Sequence, residues 1–275
     1  MNVPRVILEV QSYRKDVVGD VEEVIYQDGE EVEIFQTDLE LAQSYESVKE
    51  RTNYALLQLY EQKGYDLFKK TCLNMKGNSW FNTSDYSTFK GECAEVFLYV
   101  TILEFIEKFN LPWYAFLSLV IPHRDGIEGH TTEIDLVLVS EEMITVFESK
   151  SYGGDKTIKD VCSIVRKNGT KDIYGQNALH CESLLKQIAD FNINDQRGMK
   201  SVLFSFAEGS LDDVRDPQYK KFMPVLTEDN VLQYLTSLTK LKNKYWKSGV
   251  VDKVSQLSKM LTAEDHMAYI NRNKK

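Results

Sequence analysis

Residues 131–152 read TTEIDLVLVSEEMITVFESKSY, and the fold turns on how that stretch is understood. Two runs rich in β-branched residues, EIDLVLV and ITVFESK, flank a polar loop from Ser140 to Met143, the pattern of an antiparallel hairpin. A four-residue loop sets Val139 against Ile144, Val137 against Val146 and Asp135 against Glu148. Side chains alternate between faces with a period of two. Asp135, Glu148 and Lys150 therefore share one face, with Val137, Val139, Ile144 and Val146 beyond them. The other face carries Ile134, Leu136, Leu138 and Phe147. Both faces are apolar enough to be covered, which leaves three charges at the end of a buried hairpin.

Directly opposed side chains have Cβ atoms about 5 Å apart, and like charges placed so are destabilising. Two carboxylates in a partly buried site force one pKa upward unless something positive binds between them. A divalent cation meets that need, and oxygen ligands select Mg²⁺ or Mn²⁺ over zinc. Such an ion can activate water and stabilise charge on a phosphoryl oxygen, and Lys150 could hold the attacking water. The plainer alternative has Lys150 and Glu133 capping strand ends in ordinary ion pairs, with Asp135 solvated. A third acid comes from Gly91-Glu92-Cys93-Ala94-Glu95. On a helix Glu92 and Glu95 share a side, and a buried helix tolerates them only when they are paired. Alternatively, both serve the helix dipole in the first turn, which suits Glu92 better than the deeper Glu95.

Around the hairpin the chain reads as α/β. VPRVILEVQSY and EEVIYQDGEEVEIFQ are strands about an Asp-Gly turn, and residues 38–70 form a helix broken at Gly64. The polar residues 76–88 make a linker, so residues 1–85 are an N-terminal α+β extension and residues 86–275 a core. GECAEVFLYVTILEFIEKFN is a buried helix, capped at Ser87 or Thr88 and ended by Asn110-Leu-Pro112. WYAFLSLVI is a strand, GQNALHCESLLKQIADF a helix, and KSVLFSFAE and FMPVLT are strands. TEDNVLQYLTSLTKLKNKYWK reads as a helix capped by Thr227. Alternating helices and strands indicate an α/β fold.

The chain has 275 residues, 43% apolar and 27% charged, ample for a sizeable core. Its net charge of −9 disfavours a general nucleic-acid coat protein but not an enzyme with a local basic patch. Cys72, Cys93, Cys162 and Cys181 are scattered, as are His123, His130, His180 and His266, so neither a zinc ribbon nor a disulfide framework is expected. No secretory leader pattern and no apolar run of membrane-spanning length is present, so the expected location is the cytoplasm, with no membrane partner.

A helical Glu, an Asp on one strand and Glu-x-Lys on the next resemble the PD-(D/E)XK nuclease superfamily, and more narrowly its nuclease-related domain, NERD. That family shows Gly-Glu-x-Gly-Glu, Glu-Ile-Asp, Glu-x-Lys and Asn-Pro-x-x-Gln. The matching positions are Gly91–Glu95, Glu133–Asp135, Glu148–Lys150 and Asp172–Gln176. Ala94 replaces a Gly, and Asp172-Ile173 replaces Asn-Pro. The likeness spans roughly residues 86–210, and it implies a restriction-endonuclease-like core with a mixed central sheet flanked by helices. By that resemblance the chain is a Mg²⁺- or Mn²⁺-dependent endonuclease cutting DNA to 5′-phosphate ends. Asp135, Glu148 and Glu95 would bind metal, Lys150 would serve the attacking water, and Gln176 would orient the site or touch the backbone.

Lys156, Lys159, Arg166, Lys167 and Lys171 follow the motif at once, and DNA contacts are expected there, because Lys and Arg dominate phosphate binding. His180, one turn after Gln176, could reach phosphate, although the residues favour a histidine on the helix's polar face. KLKNKYWK could stack on a strand, although an amphipathic terminal helix is the commoner use. The rival readings are a catalytically silent module of the same fold that binds nucleic acid or protein, and an interaction protein acting through its acidic extension, where a homodimer contact could lie. RNA remains an open alternative to DNA. A role in nucleic-acid processing or in defence against foreign DNA would fit the activity.

Overall fold

The computed structural model describes residues 53, 56–77, 84–193 and 198–273. The strands expected before residue 37 and residues 78–83 of the expected linker lie outside these, while residues 84–88, expected as linker, are helical. Residues 56–63 are helical, Gly64 at φ 84° interrupts, and α1 runs Tyr65–Gly77. A left-handed residue costs glycine nothing, so the break falls at the expected place. Helix α2 spans Ser84–Phe109 and ends where Asn110 turns to φ 49° before Pro112. It begins earlier than Ser87 or Thr88, so neither caps it.

The main sheet has the order β1-β2-β3-β7-β9. Its strands are Tyr114–Pro122, Thr131–Val139, Ile144–Lys150, Met199–Ser205 and Val225–Leu226. The first three are antiparallel, and β7 and β9 join parallel. Before β7 the chain makes helix α3, Ile173–Ile188. Between β3 and α3 it also builds strands the sequence reading missed: β4 (Lys156–Lys159), β5 (Ser163–Arg166) and β6 (Gly169–Asp172). With β8 (Leu211–Asp213) they form a second sheet, β6-β5-β4-β8. Strands of three or four residues leave almost no periodic signal, although Ile158 and Ile164 are buried in a small cluster of their own.

Two apolar layers fix the main sheet. On one face Phe97, Leu98 and Ile102 of α2 pack with Phe68 and Cys72 of α1 and with Leu136, Leu138, Phe147 and Phe204 of the sheet. On the other, Leu184 and Ile188 of α3 pack with Val137, Val139, Ile144 and Val146. Each such buried side chain stabilises by about 2 kcal/mol. The described part of the N-terminal extension is thus joined to the core through α1.

The C-terminal region differs from expectation. After the short α4, Pro217–Phe222, helix α5 covers only Val231–Leu238. Thr227 opens a turn, its Oγ1 accepting from Asp229 N at 3.3 Å, and does not cap. KLKNKYWK is neither a helix nor an open clamp. Trp246 is buried, its Nε1 donating to Gly198 O at 2.8 Å, while Lys247 Nζ donates to Asp190 O at 2.6 Å. The chain straightens because the indole must reach the core beneath α3. Helices α6 (Val250–Leu257) and α7 (Ala263–Asn273) complete the described fold. No helix among the described residues is long and apolar enough to cross a membrane.

Candidate active site

The hairpin pairs as its pattern predicts, up to a point. Ser140 N donates to Met143 O at 2.9 Å, and Val139 faces Ile144, Val137 faces Val146 and Leu136 faces Phe147. There the ladder stops. Asp135 continues the register toward Glu148, but its Oδ2 accepts the Ser149 N–H at 2.7 Å, where a backbone carbonyl would serve in a regular sheet. On the other flank β1 and β2 pair through Leu117–Leu136 and Leu119–Ile134 but not at Ser118 and Asp135 between them. Ser118 has φ 51°, a left-handed conformation that costs an ordinary residue about 1–2 kcal/mol.

This kink turns both strands over. Ile134 and Leu119 belong to the cluster under α3, whereas Leu136 and Leu117 belong to the one under α2. Strict alternation places Ile134 with Leu136, and the placement fails because alternation breaks at Ser118 and Asp135. Asp135 is thereby freed from the ladder.

Glu148 is fully buried and Lys150 almost so; Lys150 Nζ donates to Glu148 Oε1. His180 Nδ1 stands 3.3 Å from Glu148 Oε2, though neither atom completes a hydrogen bond of good geometry. His180 is buried, so the polar-face expectation is corrected: α3 turns it inward onto Glu148. Asn177, also buried on α3, donates to Val146 O at 3.2 Å and Val202 O at 3.3 Å, tying that helix to β3 and β7.

Burial, and then the Glu148 charge, push the Asp135 carboxyl up to about 7 from an ordinary 3.8, against the pull of Lys150. Burial alone would raise Glu148 as well, but His180 and Lys150 outweigh it and hold that carboxyl below its ordinary value. Burial opposes the Lys150 charge, and Asp135 and Glu148 outweigh burial, so the lysine pKa rises. One ammonium balances two acids, and Asp135 keeps a proton to near neutrality. Such a site has room for one more positive charge.

A hard divalent cation fits that donor set. The available atoms are carboxylate oxygens, and Glu148 Oε2 has no good hydrogen bond to give up. Among the described residues no group of three or more His, Cys, Asp or Glu could hold a metal ion. Mg²⁺ binds through one or two carboxylates with water and substrate oxygens for the rest, so two acids are enough for it; a structural zinc site needs four protein ligands.

Glu92 and Glu95 lie on α2 well past its first turn, because the helix starts at Ser84. The dipole account, which fades beyond one turn, does not apply to them. Glu92 is buried and Glu95 half-buried, each with a polar partner. Their helix packs behind the sheet at its active end, where the Phe97 ring lies 4.6 Å from that of Phe206 just past β7. Gln176 is half-buried one turn before His180, on the same side of α3. The Asp172-Ile173 departure is conservative only in its first residue. Asp172 caps α3 by accepting from Gly175 N at 2.9 Å, as Asn would, whereas Ile173 N donates to Cys162 O at 3.0 Å, a bond that proline could not make.

The basic residues separate. Lys159, Lys167 and Lys171 are exposed on the small sheet and its turn. Lys156 is 3% exposed, and its Nζ donates to Gly154 O at 2.7 Å and Glu208 O at 2.9 Å, so it offers no surface charge. The Arg166 guanidinium lies 3.9 Å over the Tyr152 ring. Sequence reasoning missed Ser118 and Asn177, which carry no motif; His180 had a signal, its helical spacing from Gln176.

Residues 90–205 match the family model described as nuclease-related domain, as the motifs led us to expect. Among solved structures, protein VC1899 from Vibrio cholerae is similar at 13% identity with a TM-score of 0.37, over 80% of this chain and 56% of that one. The chain thus spans little more than half of that protein's length, and the likeness is too loose to build on. No curated protein matches.

Proposed function

We propose, from the match of residues 90–205 to the nuclease-related domain model, that the chain is a metal-dependent endonuclease hydrolysing phosphodiester bonds of DNA. The observation that carries the reading is the convergence of Asp135, Glu148 and Lys150 at the parted end of the hairpin. Two acids are held together beside one ammonium in a largely buried site, an arrangement that costs stability and gains a binding module little.

Asp135 and Glu148 would hold Mg²⁺ or Mn²⁺, which supplies an acidified water and charge neutralisation at phosphorus. Ser149 N–H steadies Asp135, and His180 lies against Glu148 from α3. Lys150, relieved of balancing both acids, can donate to the attacking water or to a non-bridging phosphoryl oxygen. Glu95, from the helix behind the sheet, is the candidate for a remaining ligand, and Gln176 for a contact to the substrate backbone. Lys159, Lys167 and Lys171 give a phosphate backbone a basic surface in an otherwise acidic chain.

The test is a cleavage panel of plasmid, linear duplex, single-stranded DNA and RNA in chelator, Mg²⁺ and Mn²⁺. Metal-dependent cutting that is lost in Asp135→Asn supports the reading. No cutting of any substrate, together with no heat of Mn²⁺ binding by calorimetry, defeats it. The silent-module reading draws on one observation, the lack of a third acid grouped with Asp135 and Glu148 among the described residues. Substrate binding without cutting would favour it.

A further inference from the structure

Just past Lys150 the chain makes a short loop, Ser151 to Asp155, that is held unusually firmly. Lys150 O accepts from Phe206 N at 3.0 Å. Asp155 Oδ1 accepts from Ser210 N at 3.0 Å and from Ser210 Oγ at 2.7 Å. Lys156 uses its ammonium on two carbonyls, Gly154 O and Glu208 O. Gly209, at φ 92°, lies so close to Gly154 that a Cβ there would come within 2.4 Å of its backbone. The loop is therefore shaped in advance by the core, with Gly153 and Gly154 exposed at its crest.

Cations surround this crest. Lys90 Nζ, from α2, lies 3.9 Å from where a Gly153 side chain would begin. Arg166, from β5, has its Cζ 3.9 Å over the Tyr152 ring, and Tyr152 is near enough to Lys150 to act on its charge. Lys150 is engaged by Glu148 and Lys156 by carbonyls. The Arg166 guanidinium, by contrast, makes no ion pair or hydrogen bond among the described residues, and its Nε is buried without an acceptor. A guanidinium has five donors in a rigid fork. Stacked on an aromatic ring beside the proposed reaction centre with those donors unspent, it matches the tetrahedral oxygens of a phosphodiester.

We propose that Arg166, held over the Tyr152 ring, binds a backbone phosphate adjoining the one that is cleaved, making the loop after Lys150 the element that anchors the polynucleotide. This rests on the nuclease reading and adds to it. One cation of the basic segment has a fixed station next to the reaction, Lys156 has a structural one, and Lys159, Lys167 and Lys171 lie on the outer surface. Contact through phosphate makes the anchoring independent of base sequence.

Binding of labelled DNA by the uncut-substrate variant Asp135→Asn is followed by anisotropy across a salt series, alone and combined with Arg166→Met, Arg166→Lys or Tyr152→Ala. Arg166→Met should weaken binding about tenfold or more and reduce the slope of log affinity on log salt by about one phosphate contact. Arg166→Lys should keep the slope and lose part of the affinity. Tyr152→Ala should resemble Arg166→Met. In the cutting protein Arg166→Lys should raise KM with kcat held, and Mn²⁺ affinity by calorimetry should be unchanged in every Arg166 variant. If the unsubstituted protein cuts DNA but Arg166→Met and Arg166→Lys leave affinity, salt slope and KM where they were, the anchoring role is wrong and the nuclease reading survives. If the protein binds DNA through Arg166 and never cuts it, the anchor stands and the nuclease reading falls. If it neither binds nor cuts, both fall.

Discussion

Asparagine at position 135 should stabilise the metal-free protein while abolishing cleavage. Asn keeps an oxygen to accept the Ser149 N–H, held at 2.7 Å in the native site, and it removes a charge that Glu148 repels. In the folded protein Asp135 holds its proton to about pH 7, against an ordinary 3.8. The native state therefore binds more protons than the unfolded chain between those values. That contribution to stability is complete below about pH 4 and is lost as pH rises through 7. Between about pH 5 and 8 some two pH units of the interval are crossed, about 3 kcal/mol at 1.36 kcal/mol per unit. Asp135 keeps part of its surface in water, and screening reduces the expectation to about 1.5 kcal/mol. Urea unfolding in chelator, at both pH values, measures this. The unsubstituted protein should lose about 1.5 kcal/mol more than Asp135→Asn over that range, roughly half a molar in midpoint. Mg²⁺ at the higher pH should restore stability only where the carboxylate is present. Parallel pH slopes for the two proteins, or a variant less stable than the original at pH 8, would refute the electrostatic account of the site.

Lys150→Ala leaves Glu148 buried beside one ammonium fewer, and breaking a buried pair from one side costs about 3 kcal/mol; Mn²⁺ should return that stability in thermal melts while cleavage stays at least about a hundredfold down. Ser118→Gly should raise stability by about 1 kcal/mol with Mn²⁺ affinity kept, because glycine occupies φ 51° without strain. Ser118→Val, whose branched side chain resists that conformation, should lose both, as calorimetry and urea unfolding would record. Asn177→Ala should cost about 1–3 kcal/mol in urea by removing the buried amide that donates to Val146 O and Val202 O.

What the sequence made legible follows from where the physics is local. The register from Val139–Ile144 to Leu136–Phe147 was readable because loop length and alternation determine it together. The burial of α2 was readable from an apolar run on every side of the helix, and the break at Gly64 from glycine's poor helix propensity. The kink was not. Nothing in LSL at 117–119 distinguishes Ser118 from a serine in a flat strand, and its left-handed turn exists because two layers pull β1 and β2 opposite ways on either side of it. The strands β4 to β6 escaped notice because four residues are too few to show a period, even where Ile158 and Ile164 are buried. Trp246 was misread because KLKNKYWK is amphipathic enough for a helix until a distant carbonyl, Gly198 O, claims the indole.

The same contrast explains the location of the chemistry. A regular ladder would hold Asp135 and Glu148 at fixed, repelling positions and spend their backbone groups on each other. Here the strands are bound tightly as far as Leu136 and Phe147, then released, so the carboxylates sit on rigid supports while one of them replaces a backbone acceptor for Ser149. α3 closes the site from above with Asn177 fixing the helix and His180 meeting Glu148. The cost of confining two acids is met by the apolar layers on both faces, which lie just far enough along the strands to stay dry. A sheet that parts at one residue pair would give the proposed cation an entrance that a perfect sheet would close, and the left-handed serine opposite Asp135 is the local strain by which that opening is held.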